Sequence, residues 1–124
     1  MELDFQKIVD KIQEILPEKW TKAIFMVEYT SGSYSMRCFV DKADEHFQDC
    51  NSLEGQSKVK VIKIYKEINE EIKKCRSKLE GEKLWYALTM CFDSDGKFKS
   101  EFDYTSHEEN AISYIENWKK KYIF

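Results

Sequence analysis

The apolar positions alternate most regularly between Leu84 and Tyr104, LWYALTMCFDSDGKFKSEFDY, the longest apolar-aromatic run of the chain. Leu84, Tyr86, Leu88, Met90 and Phe92 fall on even positions, and so do Phe98, Phe102 and Tyr104 beyond the turn. A period of two predicts a half-buried strand pair. Parity also chooses the turn. A two-residue Asp95-Gly96 loop would set Phe98 opposite Asp93 and Phe102 opposite Thr89. A three-residue loop, Ser94-Asp95-Gly96, sets Phe92 against Phe98, Leu88 against Phe102, Tyr86 against Tyr104 and Asp93 against Lys97. It also puts Gly96 at the left-handed position that closes such a hairpin. The second register is expected, because a slip by one residue would turn the whole apolar row to water.

The rest of the chain divides by period. Phe5, Ile8, Val9, Ile12, Ile15 and Leu16 predict a helix over residues 3–16, stopped before Pro17, with Trp20 anchoring the connector. Residues 22–41 predict a hairpin, with Phe25, Val27 and Tyr29 on one strand and Tyr34, Met36, Cys38 and Val40 on the other. A Gly32-Ser33 loop would set Glu28 across from Arg37 and Met26 across from Phe39; a Ser31-Gly32 loop keeps the same faces. Residues 42–56 read as an irregular or short edge segment. Val61, Tyr65, Ile68, Ile72, Cys75 and Leu79 predict a helix from Ser57 to about Leu79, with Gly81 as its stop. Ser106 and Glu109 fit a capping box for a last helix running to about Tyr122, with Ala111, Ile112, Ile115, Trp118 and Tyr122 on its apolar face. The order α-β-β-α-β-β-α implies an α+β fold: an antiparallel sheet of two hairpins with helices packed on it.

Composition bounds this reading. The 124 residues suit one domain spanning 1–124, and 42% hydrophobic content can build a core. Four glycines and one proline leave no room for a flexible linker, and a net charge of −3 is too mild to name a partner. No apolar run is long enough to span a bilayer, and the amphipathic start MELDFQKIVDKIQEIL lacks the pattern of a signal peptide. A cytoplasmic protein with no membrane partner is expected. In that compartment the widely spaced Cys38, Cys50, Cys75 and Cys91 are expected to be free thiols.

Candidate chemistry is sparse. His46 and Cys50 are half a metal site at best, and Asp93-Ser94-Asp95-Gly96 lacks the glycine position and closing glutamate of a calcium loop. No nucleophile elbow, phosphate loop or paired-carboxylate motif is visible, so the expectation is no catalysis, no cofactor and no metal. A small enzyme using His46 or His107 remains an alternative. The lysines of the second helix are interleaved with Glu67, Glu70 and Glu71, which suits a solvated face better than direct nucleic-acid binding. The second row of the central hairpin, matched in the first hairpin by Ile24, Met26, Glu28, Arg37 and Phe39, is different. It carries Trp85, Ala87, Thr89 and Cys91 beside Lys97, Lys99, Glu101 and Asp103. That face is either covered by the last helix or a partner surface, with Trp85, Met26 and Phe39 as anchors and Asp93, Asp95, Glu101 and Asp103 as a charged rim.

Three stretches carry a family resemblance: IQEILPEKW at the end of the first helix, Cys38-Phe39-Val40 closing the first hairpin, and LWYALTMCFDSDGKFKSEFDY, with Trp118 in the last helix. Together they resemble the YezG-like immunity proteins. The resemblance implies a small cytoplasmic antitoxin paired with a secreted bacterial toxin, often a nuclease of the polymorphic, type VII-delivered kind. It implies stoichiometric inhibition by protein–protein contact, in which an acidic rim meets a basic nuclease groove. A non-enzymatic adaptor or secretion chaperone for an effector is the alternative from another class.

Overall fold

The computed structural model describes residues 3–44 and 46–123. Its elements are α1 (Phe5–Gln13), β1 (Lys22–Thr30), β2 (Ser33–Asp41), β3 (Phe47–Asp49), α2 (Lys58–Arg76), β4 (Ala87–Asp93), β5 (Phe98–Asp103) and α3 (Ala111–Tyr122), with short 3₁₀ turns between them. The five strands form one antiparallel sheet in the order β3-β2-β1-β4-β5. The short edge segment expected in 42–56 is thus a fifth strand.

The sheet is covered on both faces. Ile8, Ile12 and Ile15 of the first helical segment and Val61, Ile64, Ile68 and Ile72 of α2 pack on one face, against Phe25, Val27, Cys38, Val40, Leu88 and Met90. Trp118 of α3 packs on the other, against Ile24, Met26 and Phe39. Because β1 is central, Ala23 through Val27 are all buried, which is why that stretch reads as a continuous apolar run.

The β4–β5 hairpin has the expected register, with Phe92 opposite Phe98 and Leu88 opposite Phe102. Gly96 closes the loop at φ +94°, and the Asp93 amide donates to the Lys97 carbonyl at 3.0 Å. The first hairpin takes the Ser31-Gly32 loop instead of Gly32-Ser33. Met26 therefore lies opposite Arg37 and Glu28 opposite Ser35. Both loops preserve the faces, so periodicity could not separate them; the positive φ of Gly32, +81°, falls at the second position of the Ser31-Gly32 loop.

Helix ends also shift. Asp4 caps α1, accepting from the Lys7 amide at 3.2 Å, and residues 14–16 continue as tighter i→i+3 turns before Pro17. Ser57 caps α2, but that helix ends at Arg76, well short of Gly81. Its last side chain explains why. The Arg76 guanidinium lies 4.3 Å from the Tyr29 ring centroid and its Nε donates to the Trp85 carbonyl at 2.9 Å, tying the helix end to the start of β4. The capping box of α3 does not form: Ser106 Oγ accepts from the Glu108 amide, and a 3₁₀ turn over Glu108–Asn110 leads into the helix.

Ile68 and Ile62 test this packing. Ile68 is fully buried and Ile62 is 56% exposed on the same helix. Ile68→Ala should cost about 2–5 kcal/mol in urea unfolding, whereas Ile62→Ala should stay within about 0.5 kcal/mol.

Candidate functional site

The second face of the sheet, where partner residues were expected, is the face α3 covers. Met26 is fully buried and Phe39 is 8% exposed, both against Trp118, whose indole Nε1 donates to Thr89 Oγ1 at 2.9 Å. Trp85 is 5% exposed and belongs to the opposite face, with its ring 5.2 Å from Phe102 and 5.7 Å from Tyr29. The parity of the run breaks there, because β4 begins only at Ala87. The three expected apolar anchors are therefore inside the protein and unavailable at its surface.

The four expected acidic residues divide by use. Asp103 faces the entry to α3. It accepts from the Thr105 amide at 2.9 Å, lies 2.9 Å from His107 Nε2, and bonds the Tyr114 hydroxyl; the His107 ring stacks on Tyr114 at 3.9 Å. Glu101, two residues earlier on the same row of β5, accepts from the Tyr122 hydroxyl and pairs with Lys121 at 3.4 Å. Asp93 spends its carboxylate inside the turn, on the amides of Asp95 and Lys97. Asp95 is exposed at the tip. A further carboxylate missed by sequence reasoning, Glu108, accepts from the Ser31 amide at 3.3 Å and the Ser31 hydroxyl at 3.1 Å, joining the β1–β2 turn to the start of α3.

Burial raises the Asp103 carboxyl, but the Thr105 amide, the Tyr114 hydroxyl and His107 outweigh it and hold it below its ordinary value of 3.8. Glu28, buried under the same helix, is pushed the other way by burial, partly offset by Arg37 and His107. Arg37 Nε itself is buried without a hydrogen-bond partner.

The candidate metal and catalytic residues are separate. His46 is exposed, whereas Cys50 is fully buried and in thiol–thiol hydrogen-bond contact with Cys38. None of the four cysteines is in a disulfide. Among the described residues no group of three or more His, Cys, Asp or Glu could hold a metal, and no helix is long and apolar enough to cross a membrane.

Two apolar features stay open on the α3 side. Ile112, placed on the apolar face by its spacing, is 79% exposed, with Glu109 three residues before it and Glu116 four after. At one end of the sheet an open cleft of about 290 Å³ has Ile24, Phe47 and Cys91 in its floor and Lys22, Lys97 and Lys99 at its rim.

The opposed shifts of Asp103 and Glu28 give a pH test. With its folded value lowered, Asp103 contributes stability above pH 3.8 that is lost as the pH falls through the lowered value. With its folded value raised above 4.5, ionised Glu28 costs stability at neutral pH, and that cost vanishes as the pH falls through the raised value. Asp103→Asn should therefore lower Tm at pH 7 by a few degrees, about 1 kcal/mol at a partly solvated site, with the gap closing below pH 3.8. Glu28→Gln should raise Tm at pH 7 and lose that advantage in acid. Thermal unfolding across pH, followed by tryptophan fluorescence, checks both.

The sequence pattern of the YezG-like immunity proteins matches residues 1–123. The chain is 28% identical to Immunity protein YezG of Bacillus subtilis (strain 168), over an alignment of 127 residues covering 94% of this chain and 83% of that protein. The matched span includes every element described above, from α1 through the β4–β5 hairpin to Trp118 of the covering helix, and the chain belongs to the YezG-like immunity protein family.

Proposed function

We propose that this protein is the antitoxin of a secreted bacterial toxin, which it neutralises in the cytoplasm by one-to-one binding without catalysis. The toxin is a nuclease domain of the type VII-delivered, polymorphic kind, and the protein itself does not touch nucleic acid. Family membership supports the immunity role. The nuclease reading rests on the surface chemistry of one end of α3. There Ile112 is 79% exposed, and Glu109 and Glu116 lie within one helical turn of it. An apolar side chain left in water brings the fold nothing, and framed by carboxylates it suits a basic surface with an apolar recess.

A nuclease is basic where it grips phosphates, so an acidic surface can occupy that groove and speed encounter. The half-exposed Glu101 and, nearer the start of α3, Asp103 add acidic surface on β5. Glu101 and Asp103 also hold α3 to the sheet, so reversing their charge would confound binding with folding. Exposed Glu109 and Glu116 are cleaner probes.

Co-expression with the neighbouring gene should rescue growth, and the two products should copurify one to one. Glu109→Lys with Glu116→Lys should slow association with that toxin about tenfold at low salt and flatten its salt dependence. Unchanged association at every salt concentration would sink the acidic-groove reading. A harmless or non-binding neighbour would sink the immunity reading itself.

A further inference from the structure

The cleft at the open end of the second sheet face is an apolar opening of about 290 Å³ that α3 leaves uncovered. Ile24 and Cys91 form adjacent floor positions, since they are paired across β1 and β4. Phe47 of the edge strand also lines it, whereas Phe98 of β5 borders it with its ring turned to Phe5 on the α1 face. The rim is basic. Lys99 lies opposite Cys91, Lys22 lies opposite Asp93, and Lys97 follows the β4–β5 loop. None of the three lysines makes an ion pair with a described residue; of the nearby carboxylates, Asp93 is engaged by the turn amides and Glu101 by Lys121 and Tyr122, and Asp41 lies opposite Lys22.

We propose that this cleft is a docking site for an apolar side chain carried on an acidic segment of the toxin. The inference rests on the immunity reading and names a second contact within it. Size, shape and charge argue for this occupant. A volume of about 290 Å³ holds one large side chain and is at the lower limit for a small-molecule pocket. The cleft is open, so it cannot enclose a free ligand as a cofactor pocket does, yet a side chain held by a larger surface would seal it. Three ammonium groups around an apolar floor favour carboxylates flanking that side chain.

The cleft and Ile112 lie on the same layer of the molecule. α3 is 12 residues long, so it spans about 18 Å, within the width of a standard interface. The toxin surface would then be basic at the Ile112 end and acidic at the cleft end. Such a polar arrangement fixes one docking orientation and disfavours toxins whose charges run the other way.

Cys91 allows a direct test, because it is a partly exposed thiol in the cleft floor while Cys75, also partly exposed, is on α2 on the opposite layer. The purified full-length chain is treated with iodoacetamide alone and after saturation with the toxin domain encoded by the adjacent gene, and labelling is read by mass spectrometry. Binding should slow Cys91 labelling at least tenfold and leave Cys75 unchanged. Cys91→Trp, which fills the cleft, and the pair Lys97→Glu with Lys99→Glu should each weaken toxin binding at least tenfold while circular dichroism and Tm confirm a folded chain. Should Cys91→Trp fail to fold, the lysine pair, on an exposed rim, still decides. A complex that forms with Cys91 labelled at the free rate, or that both variants form as tightly as the unaltered chain, overturns the cleft while leaving the immunity reading intact. No complex with the unaltered chain overturns both. Self-association of the chain on sedimentation, protecting Cys91 without toxin, would assign the cleft to a second copy and overturn the proposal.

Discussion

A central strand that is apolar on both sides must be covered twice. Ala23, Phe25 and Val27 turn toward α1 and α2, while Ile24 and Met26 turn toward α3, and none of the five is more than 6% exposed. This makes α3 part of the core. Ile24, Met26, Phe39 and Trp118 bury their side chains only because α3 is in place, at about 1.5–3 kcal/mol each. Their sum is an upper figure, but it is comparable to the whole stability of a typical domain. Undocking of α3 is therefore close in energy to global unfolding, and this helix is a poor candidate for a mobile lid.

Apolar burial does not by itself fix where the helix lies. Polar contacts at its entry, middle and exit do. Glu108 reaches Ser31, and His107 and Tyr114 engage Asp103 at the entry. Trp118 meets Thr89 in the middle, and Tyr122 and Lys121 meet Glu101 at the exit. Glu101 and Asp103 are two residues apart on β5, hence on one row, and their spacing matches the two ends of the helix that crosses them. Removing either partner leaves a polar group beside the sheet without its match, so these contacts set position more than they add stability.

The β4–β5 hairpin was legible to the residue because two signals agreed. Its apolar parity admitted one register, and Gly96 supplied the positive φ that this register needs. The β1–β2 hairpin was legible only to its faces, since its two candidate loops differ by an even shift that periodicity cannot detect. Parity failed at Trp85, where Arg76 holds the chain before the strand begins and turns the indole to the α1–α2 face. It failed again at Ile112, which is six residues, or about 120° around the helix, from Trp118. The residues that make the helix face are Tyr114, Ile115, Trp118 and Tyr122, two of them tyrosines that a simple apolar count weighs lightly. Of the site, the composition of the second face could be read. Its closure by α3 could not, because that depends on which apolar residues meet across 80 residues of chain.

Charge is a weak guide to function on this molecule, because most of it has a structural use. Glu108 and Glu109 precede α3 and Lys119, Lys120 and Lys121 end it, the order that opposes the helix dipole least. Asp93 serves a turn, and Glu101 and Asp103 serve the helix. An acidic rim inferred from carboxylates alone would therefore have been drawn around groups already engaged. Exposed apolar surface is the sharper signal, since no dipole, cap or turn calls for Ile112 in water or for an open cleft beside Cys91. Those two places are open on one layer, at a separation a single protein partner can span. Where the apolar openings lie then decides which charges matter: those around Ile112 and those around the cleft, and not the larger number that hold the fold together.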